Sequence, residues 1–178
     1  MCNLNQNVGS TTWIEKIAIM NIDGHCLCGK VGFSLRSEAN WSCYCHCEDC
    51  RRNCAAPIVA FFGISLEDFS WRIEGGAQEP KFFRSSSGVE RFFCDKCGTP
   101  MAFQAEHYKG EIALYAATLT EPSVFQPKFH VHHKSSLPWL ATDDSLPKFQ
   151  ESAPNTKIPR SKEIWLVMKR QIVIIGAG

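Results

Sequence analysis

The stretch CYCHCEDCRR, residues 43–52, puts four cysteines into eight positions, with a histidine among them and two arginines at its end. On an extended strand residues two apart share a face, so Cys45 and Cys47 can present both sulfurs to one ion. Cys50 follows at the start of a helical turn expected around EDCRRN. That makes three thiolates. Zinc with three protein ligands and one open position is the pattern of catalytic sites. Cys43 and Cys54 leave an alternative open, since either could close the site as a fourth ligand. Steps of about 6.6 Å between same-face residues of a straight strand argue against Cys43. A metal-free redox cluster is a further alternative.

A second set stands apart from the first. Cys26 and Cys28 form C-x-C in GHCLCGKV, and Cys94 and Cys97 form C-x-x-C in FCDKCGTP. Read as a strand, the first pair points both sulfurs one way. In the second, Gly98 can supply a positive φ after the last ligand. Two such half-sites complete a closed four-thiolate zinc, with Zn–S near ~2.3 Å and a structural role. It would tie residue 28 to residue 94, and structural zinc is worth roughly 10–16 kcal/mol in small zinc domains.

The rest of the chain suits this reading. It has 178 residues, 44% apolar and 21% charged, with a formal net charge of +1. That is one soluble domain with a real core, without the basic excess of a nucleic-acid binder or an apolar run long enough for a membrane. Ten cysteines are the anomaly. The opening MCNLNQNVGSTTWIEK lacks a basic start followed by an apolar core, so a reducing compartment, the cytoplasm, is expected, and metal thiolates are favoured over disulfides.

VGFSLRS, IVAFFGI, FSWRIEG, PKFFRSS, VERFFC, PMAFQAE and EIALYAATL are short runs rich in Val, Ile, Phe and Tyr, punctuated by Gly, Pro, Ser and Asp. They predict a mainly β domain over residues 20–152, with few short helical turns and sheets stapled by metal. Residues 1–19 are expected to be a flexible extension, and 153–178 a linker and C-terminal tail. The closing MKRQIVIIGAG looks like the opening strand and glycine turn of a dinucleotide site, but lacks the helix and acidic residue that follow. A truncated fusion, or an apolar strand or helix packed on the domain, is the expectation there. Phe61, Phe62, Phe82, Phe83, Phe92 and Phe93 read as core. His46 reads as a packed or hydrogen-bonded histidine, and His130 and His132 as part of a half-exposed strand.

GHCLCGKVGF, CHCEDCRR followed by APIVAFFGI, FRSSSGVERFFCDKCGTPM and HVHHKSSLPWLATDDSLPKF, taken together, resemble the glutathione-dependent formaldehyde-activating enzymes, a family that also includes centromere protein V relatives. The motifs run in the family's order across roughly residues 21–150. The resemblance implies a zinc-stapled β-sheet fold of the β-tent type. It implies two zinc ions: a structural one on Cys26, Cys28, Cys94 and Cys97, and a labile, catalytic one on Cys45, Cys47 and Cys50. The implied partner is a small-molecule thiol, glutathione, and the implied reaction joins it to formaldehyde or cleaves the adduct's carbon–sulfur bond. Cys43 and Cys54 are departures from the family's pattern. Candidate substrate-binding residues are Arg51, Arg84, Ser85 and Thr99. Arg52 and Arg91 also qualify, although each reads equally well as a solvated surface charge. A zinc-stabilised binding module without catalysis, and a cysteine-cluster redox protein, remain as alternatives.

Overall fold

The computed structural model describes residues 22–73 and 79–154. The dinucleotide-like turn, the N-terminal extension and all but the first two residues of the C-terminal tail lie outside them. The described chain is mainly β, with ten strands in two sheets and one α-helix. The strands are β1 (Ile22–His25), β2 (Val31–Leu35), β3 (Trp41–Cys45), β4 (Val59–Ser65), β5 (Phe69–Ile73), β6 (Lys81–Ser86), β7 (Val89–Phe93), β8 (Pro100–Ala105), β9 (Glu111–Tyr115) and β10 (Phe129–Val131). The helix α1 (Glu48–Cys54) joins β3 to β4. No helix among the described residues is long and apolar enough to cross a membrane.

The smaller sheet has the order β1-β2-β5, and the larger β10-β3-β4-β9-β8-β7-β6. All pairings are antiparallel except β10 on β3. Strand β2 alternates Val31, Phe33 and Leu35, all buried, with Gly32 and Ser34, and so turns one apolar face to the larger sheet. Phe62, Ile64, Ala102, Ile112 and Leu114 meet that face. Each large side chain buried there contributes about 1.5–3 kcal/mol relative to exposure.

Strand β4 is central and buried on both faces, which is why IVAFFGI is continuously apolar. Phe62 joins the inter-sheet core, while Phe61 points to the opposite face. There, paired positions Cys43 opposite Phe61, Phe61 opposite Tyr115 and Cys45 opposite Val59 build a second core. It lies beneath α1. The fold thus separates the cysteines: Cys26 and Cys94 belong to the inter-sheet core, and Cys43, Cys45 and Cys50 to the second.

Two core expectations fail at the sheet edge. Phe82 and Phe83 are 50% and 45% exposed. Strand β6 pairs only with β7, and all six of its residues are exposed. A strand's apolar composition does not bury it when it ends the sheet.

Candidate metal centre

The four-cysteine set comes together in two turns rather than on strands. Cys26 and Cys28 lie just past β1 in a turn, where Gly29 takes φ 75°, Gly29 N–H donates to the Cys26 carbonyl and Cys26 N–H to that of Val31. The strand reading of C-x-C is corrected here: the chain reverses between β1 and β2, and the reversal itself aims the sulfurs. The second turn matches it. Gly98 has φ 74° and donates to the Cys94 carbonyl, and Cys94 N–H donates to that of Thr99. A left-handed residue ends each turn, where glycine carries no Cβ penalty.

All four sulfurs lie within 4.8 Å of one another. Cys26 Sγ and Cys28 Sγ are 3.5 Å apart, and Cys28 Sγ and Cys94 Sγ 3.8 Å. A tetrahedron with metal–sulfur bonds near ~2.3 Å has sulfur–sulfur edges of about 3.8 Å, so the set fits a closed zinc site. Val31 N–H donates to Cys26 Sγ at 3.3 Å. Thr99 Oγ1 accepts from Leu27 N–H at 3.1 Å and lies 3.1 Å from Cys97 Sγ. Thr99 therefore links the two turns. Burial opposes ionisation of Cys97, but hydrogen bonds from Thr99 and its neighbours bring the thiol down to about 6.

Cys45, Cys47 and Cys50 form the other set, again with sulfurs within 4.8 Å. Cys45 ends β3, and Cys47 is the N-cap of α1, with its sulfur accepting from Cys50 N–H at 3.3 Å. Cys50 is buried inside the first helical turn. Strand end, cap and helix thus converge three thiols within six residues. Hydrogen bonds from the Cys45 and Cys50 thiols and from Cys50 N–H pull Cys47 well below the usual thiol range; Cys45, as a donor to it, is pushed up. Neither Cys43 nor Cys54 joins the set among the described residues. Cys43 faces the same way as Cys45 but stands one strand step away, as the spacing argument requires. A soft three-sulfur donor set suits zinc.

His46, between two of these thiols, is held from three directions. Its N–H donates to the Val131 carbonyl at 3.1 Å, and its carbonyl accepts from Arg51 Nε at 3.0 Å. Its ring Nε2 meets His130 Nδ1 at 2.8 Å, and His130 Nε2 donates to Asp144 Oδ2 at 2.9 Å. The acceptor-only carboxylate makes His130 Nε2 the donor; with a neutral His130 ring, its Nδ1 then accepts from His46 Nε2–H. Both imidazoles are fully buried, so the half-exposed strand expected for His130 is corrected. Strand β10 is covered because it lies parallel to β3 and Pro147–Phe149 bonds along its other side.

The candidate arginines separate by strand face. Arg84 is opposite Glu90 in the β6–β7 pair and bonds it at 3.2 Å, largely exposed on the inter-sheet side. Arg91 is opposite Phe83 and Phe103 and points to the other face, where it is 6% exposed. Its Nη1 and Nη2 lie 3.9 and 3.8 Å from Cys50 Sγ. Nη1 also donates to Tyr115 Oη at 3.3 Å and Nε to Ser85 Oγ at 3.0 Å. Tyr115 Oη in turn accepts from Asn53 Nδ2 at 2.8 Å. Reading Arg91 as a solvated charge is thus overturned, because its strand position is in phase with the apolar face of β8 and β9. The signal was present in the alternation Val89, Arg91, Phe93, but which face was buried depended on pairing. Arg52 is exposed and paired with Glu48. The structure brings Arg51 and Ser85 close to the triplet's surroundings, but does not bring Arg84 to its face. Thr99 goes to the four-cysteine turns. A cavity of about 230 Å³ opens beside Arg91, lined also by Asn53, Phe83, Phe93 and Pro100.

Comparison with known proteins bears on the family of the chain. A sequence profile described as glutathione-dependent formaldehyde-activating enzyme matches residues 21–135. An uncharacterized lyase of Schizosaccharomyces pombe is 37% identical over 82 residues, 46% of this chain and 56% of that protein. The chain therefore spans about half the length of this curated relative. A crystal structure of a Rhodobacter sphaeroides protein superposes with a TM-score of 0.45 at 19% identity, covering 71% of this chain and 98% of that one. The profile spans both cysteine sets and the strands that carry them, and the chain belongs to the glutathione-dependent formaldehyde-activating enzyme family.

Proposed function

We propose that this chain is a zinc-dependent carbon–sulfur lyase acting on the adduct of formaldehyde and glutathione, in either direction. The observation that carries the reading is the triplet Cys45, Cys47 and Cys50: three convergent sulfurs without a fourth Cys, His, Asp or Glu ligand beside them among the described residues. The family assignment and the relative named as a lyase support it. In this reading Cys26, Cys28, Cys94 and Cys97 hold a structural zinc, and Cys45, Cys47 and Cys50 a labile one. The second ion would supply Lewis acidity for a carbonyl oxygen and favour a thiol's anionic form. A reducing compartment such as the cytoplasm keeps such thiols available.

The chain's own residues do the positioning. Cys47 caps α1 with its sulfur, which fixes its direction relative to Cys50. Arg51 spends its Nε on the His46 carbonyl and keeps its remaining donors for a substrate carboxylate. Ser85 aligns Arg91 and edges the same face. Arg84 and Thr99 stay in the substrate-binding proposal only as remote contacts, since Glu90 and the four-cysteine turns engage them.

The test is exchange NMR on glutathione and formaldehyde with zinc-loaded protein. The adduct forms spontaneously, so the exchange rate is the quantity to read. Acceleration that disappears in Cys47→Ser is expected. Unaccelerated exchange with two zinc ions verified would sink the formaldehyde reading.

A further inference from the structure

Arg91 is a buried guanidinium whose charge lacks an acidic partner among the described residues. Its donors go to Cys50 Sγ, Tyr115 Oη and Ser85 Oγ, and its carbon lies 5.6 Å from the centre of the Phe103 ring. Burying a charge is costly unless an opposite charge meets it. The candidates on this face are the thiolates, and Cys50 is the one in contact.

Charge counting shows what this contact does. Three thiolates on a divalent ion keep one net negative charge. Such a site repels an incoming thiolate, although a thiolate is what carbon–sulfur chemistry needs. Arg51 and Arg52 are the nearest cations in sequence, but one bonds a backbone carbonyl and the other pairs with Glu48 in solvent. Arg91 is the cation in contact with a triplet sulfur, and it also borders the cavity.

We propose that Arg91 is a positioning residue that neutralises the metal-loaded Cys45–Cys47–Cys50 site through Cys50, so that the site accepts an anionic thiolate as its ligand. This rests on the metal-site reading above. It adds a substrate charge state and assigns it to one side chain.

The experiment uses the full chain loaded with cobalt(II) in both sites, titrated with 2-mercaptoethanol and separately with imidazole. Mercaptoethanol gives its S–H proton to the buffer and binds as an anion; imidazole binds neutral. The visible spectrum reports each titration, and metal analysis reports the stoichiometry. In Arg91→Met, mercaptoethanol affinity should fall on the order of 100-fold, as expected for removing a unit charge a few ångströms away at an effective dielectric constant of about 20. Imidazole affinity should change by less than about threefold, since a neutral ligand does not register that charge. Arg91→Lys, which keeps the charge, should restore most of the mercaptoethanol affinity. Arg72→Gln, an exposed arginine paired with Asp23 on the smaller sheet, controls for net charge.

An equal loss for both ligands, or loss of the second metal with the first retained, would make Arg91 a mechanical clamp and overturn the proposal. Unchanged mercaptoethanol affinity in Arg91→Met would overturn it as well. If the unaltered protein bound neither ligand, the open-site reading would fall first, and this inference with it. If Arg91→Met does not fold, Arg91→Lys decides alone: a loss as large as 100-fold with the charge kept rejects the charge argument.

Discussion

Cys43 and Cys45 leave β3 on one face, yet only Cys45 belongs to the triplet. Burial, with the negative neighbours Cys50 and Cys47, pushes the Cys43 thiol up to about 12. At pH 8 it is therefore a neutral, packed thiol. Iodoacetamide should leave Cys43 unmodified in the folded protein, as read by peptide mass spectrometry. Cys43→Ala should keep two metal ions per chain, at a cost of about 1–2 kcal/mol for the small cavity. Loss of the second ion in that variant would make Cys43 a ligand after all. Residue type alone could not separate the two cysteines; the strand's step length could, and the structure agrees with it.

At the scale of elements, the junction of β3 and α1 depends on β10. Val131 and His130 hold His46 by its N–H and its ring, and His46 lies between two triplet thiols. Burial, reinforced by His130, His133, Arg51 and Lys148, lowers the His46 pKa to about 4. The sign follows from proton counts. Below about 6.5 the unfolded chain protonates this histidine, while the folded chain does not until about pH 4. The unfolded state therefore binds more protons in that window, and stability falls as pH drops through it, by up to about 3 kcal/mol. Urea midpoints measured between pH 7 and 4.5 should show this decline, and His46→Asn should flatten it. The helix itself was legible from EDCRRN, and the alternating strands from their apolar pattern. Strand β10 was legible only as a half-exposed strand; its burial was not, because the cover comes from Pro147–Phe149, a distant segment that no local pattern ties to it.

For the whole molecule, the four-cysteine set would, with the proposed metal bound, staple the two sheets together. Cys26 and Cys28 hang from β1 of the smaller sheet, and Cys94 and Cys97 from β7 of the larger. A metal there joins segments 66 residues apart between Cys28 and Cys94. Cys94→Ser should consequently cost several kcal/mol, more than any single truncation in the inter-sheet core, given the roughly 10–16 kcal/mol that structural zinc supplies to small domains. Thermal unfolding with metal analysis checks this. A variant that keeps its melting temperature would show that the sheets hold without the staple.

The sequence by itself determined the mainly β class, the two cysteine sets and the family. Alternation, ligand spacing and glycine placement are local properties, and local chemistry enforces them. The tertiary structure alone decided which side chains face the second site. Arg84 and Arg91 are equally basic and both lie on strands, yet one meets Glu90 near solvent and the other meets Cys50 in the core. Phe82 and Phe62 are equally apolar, yet one lies on an edge strand and the other at the sheet's centre. Facing and burial follow from strand pairing between residues far apart in the chain, and no local pattern carries that information.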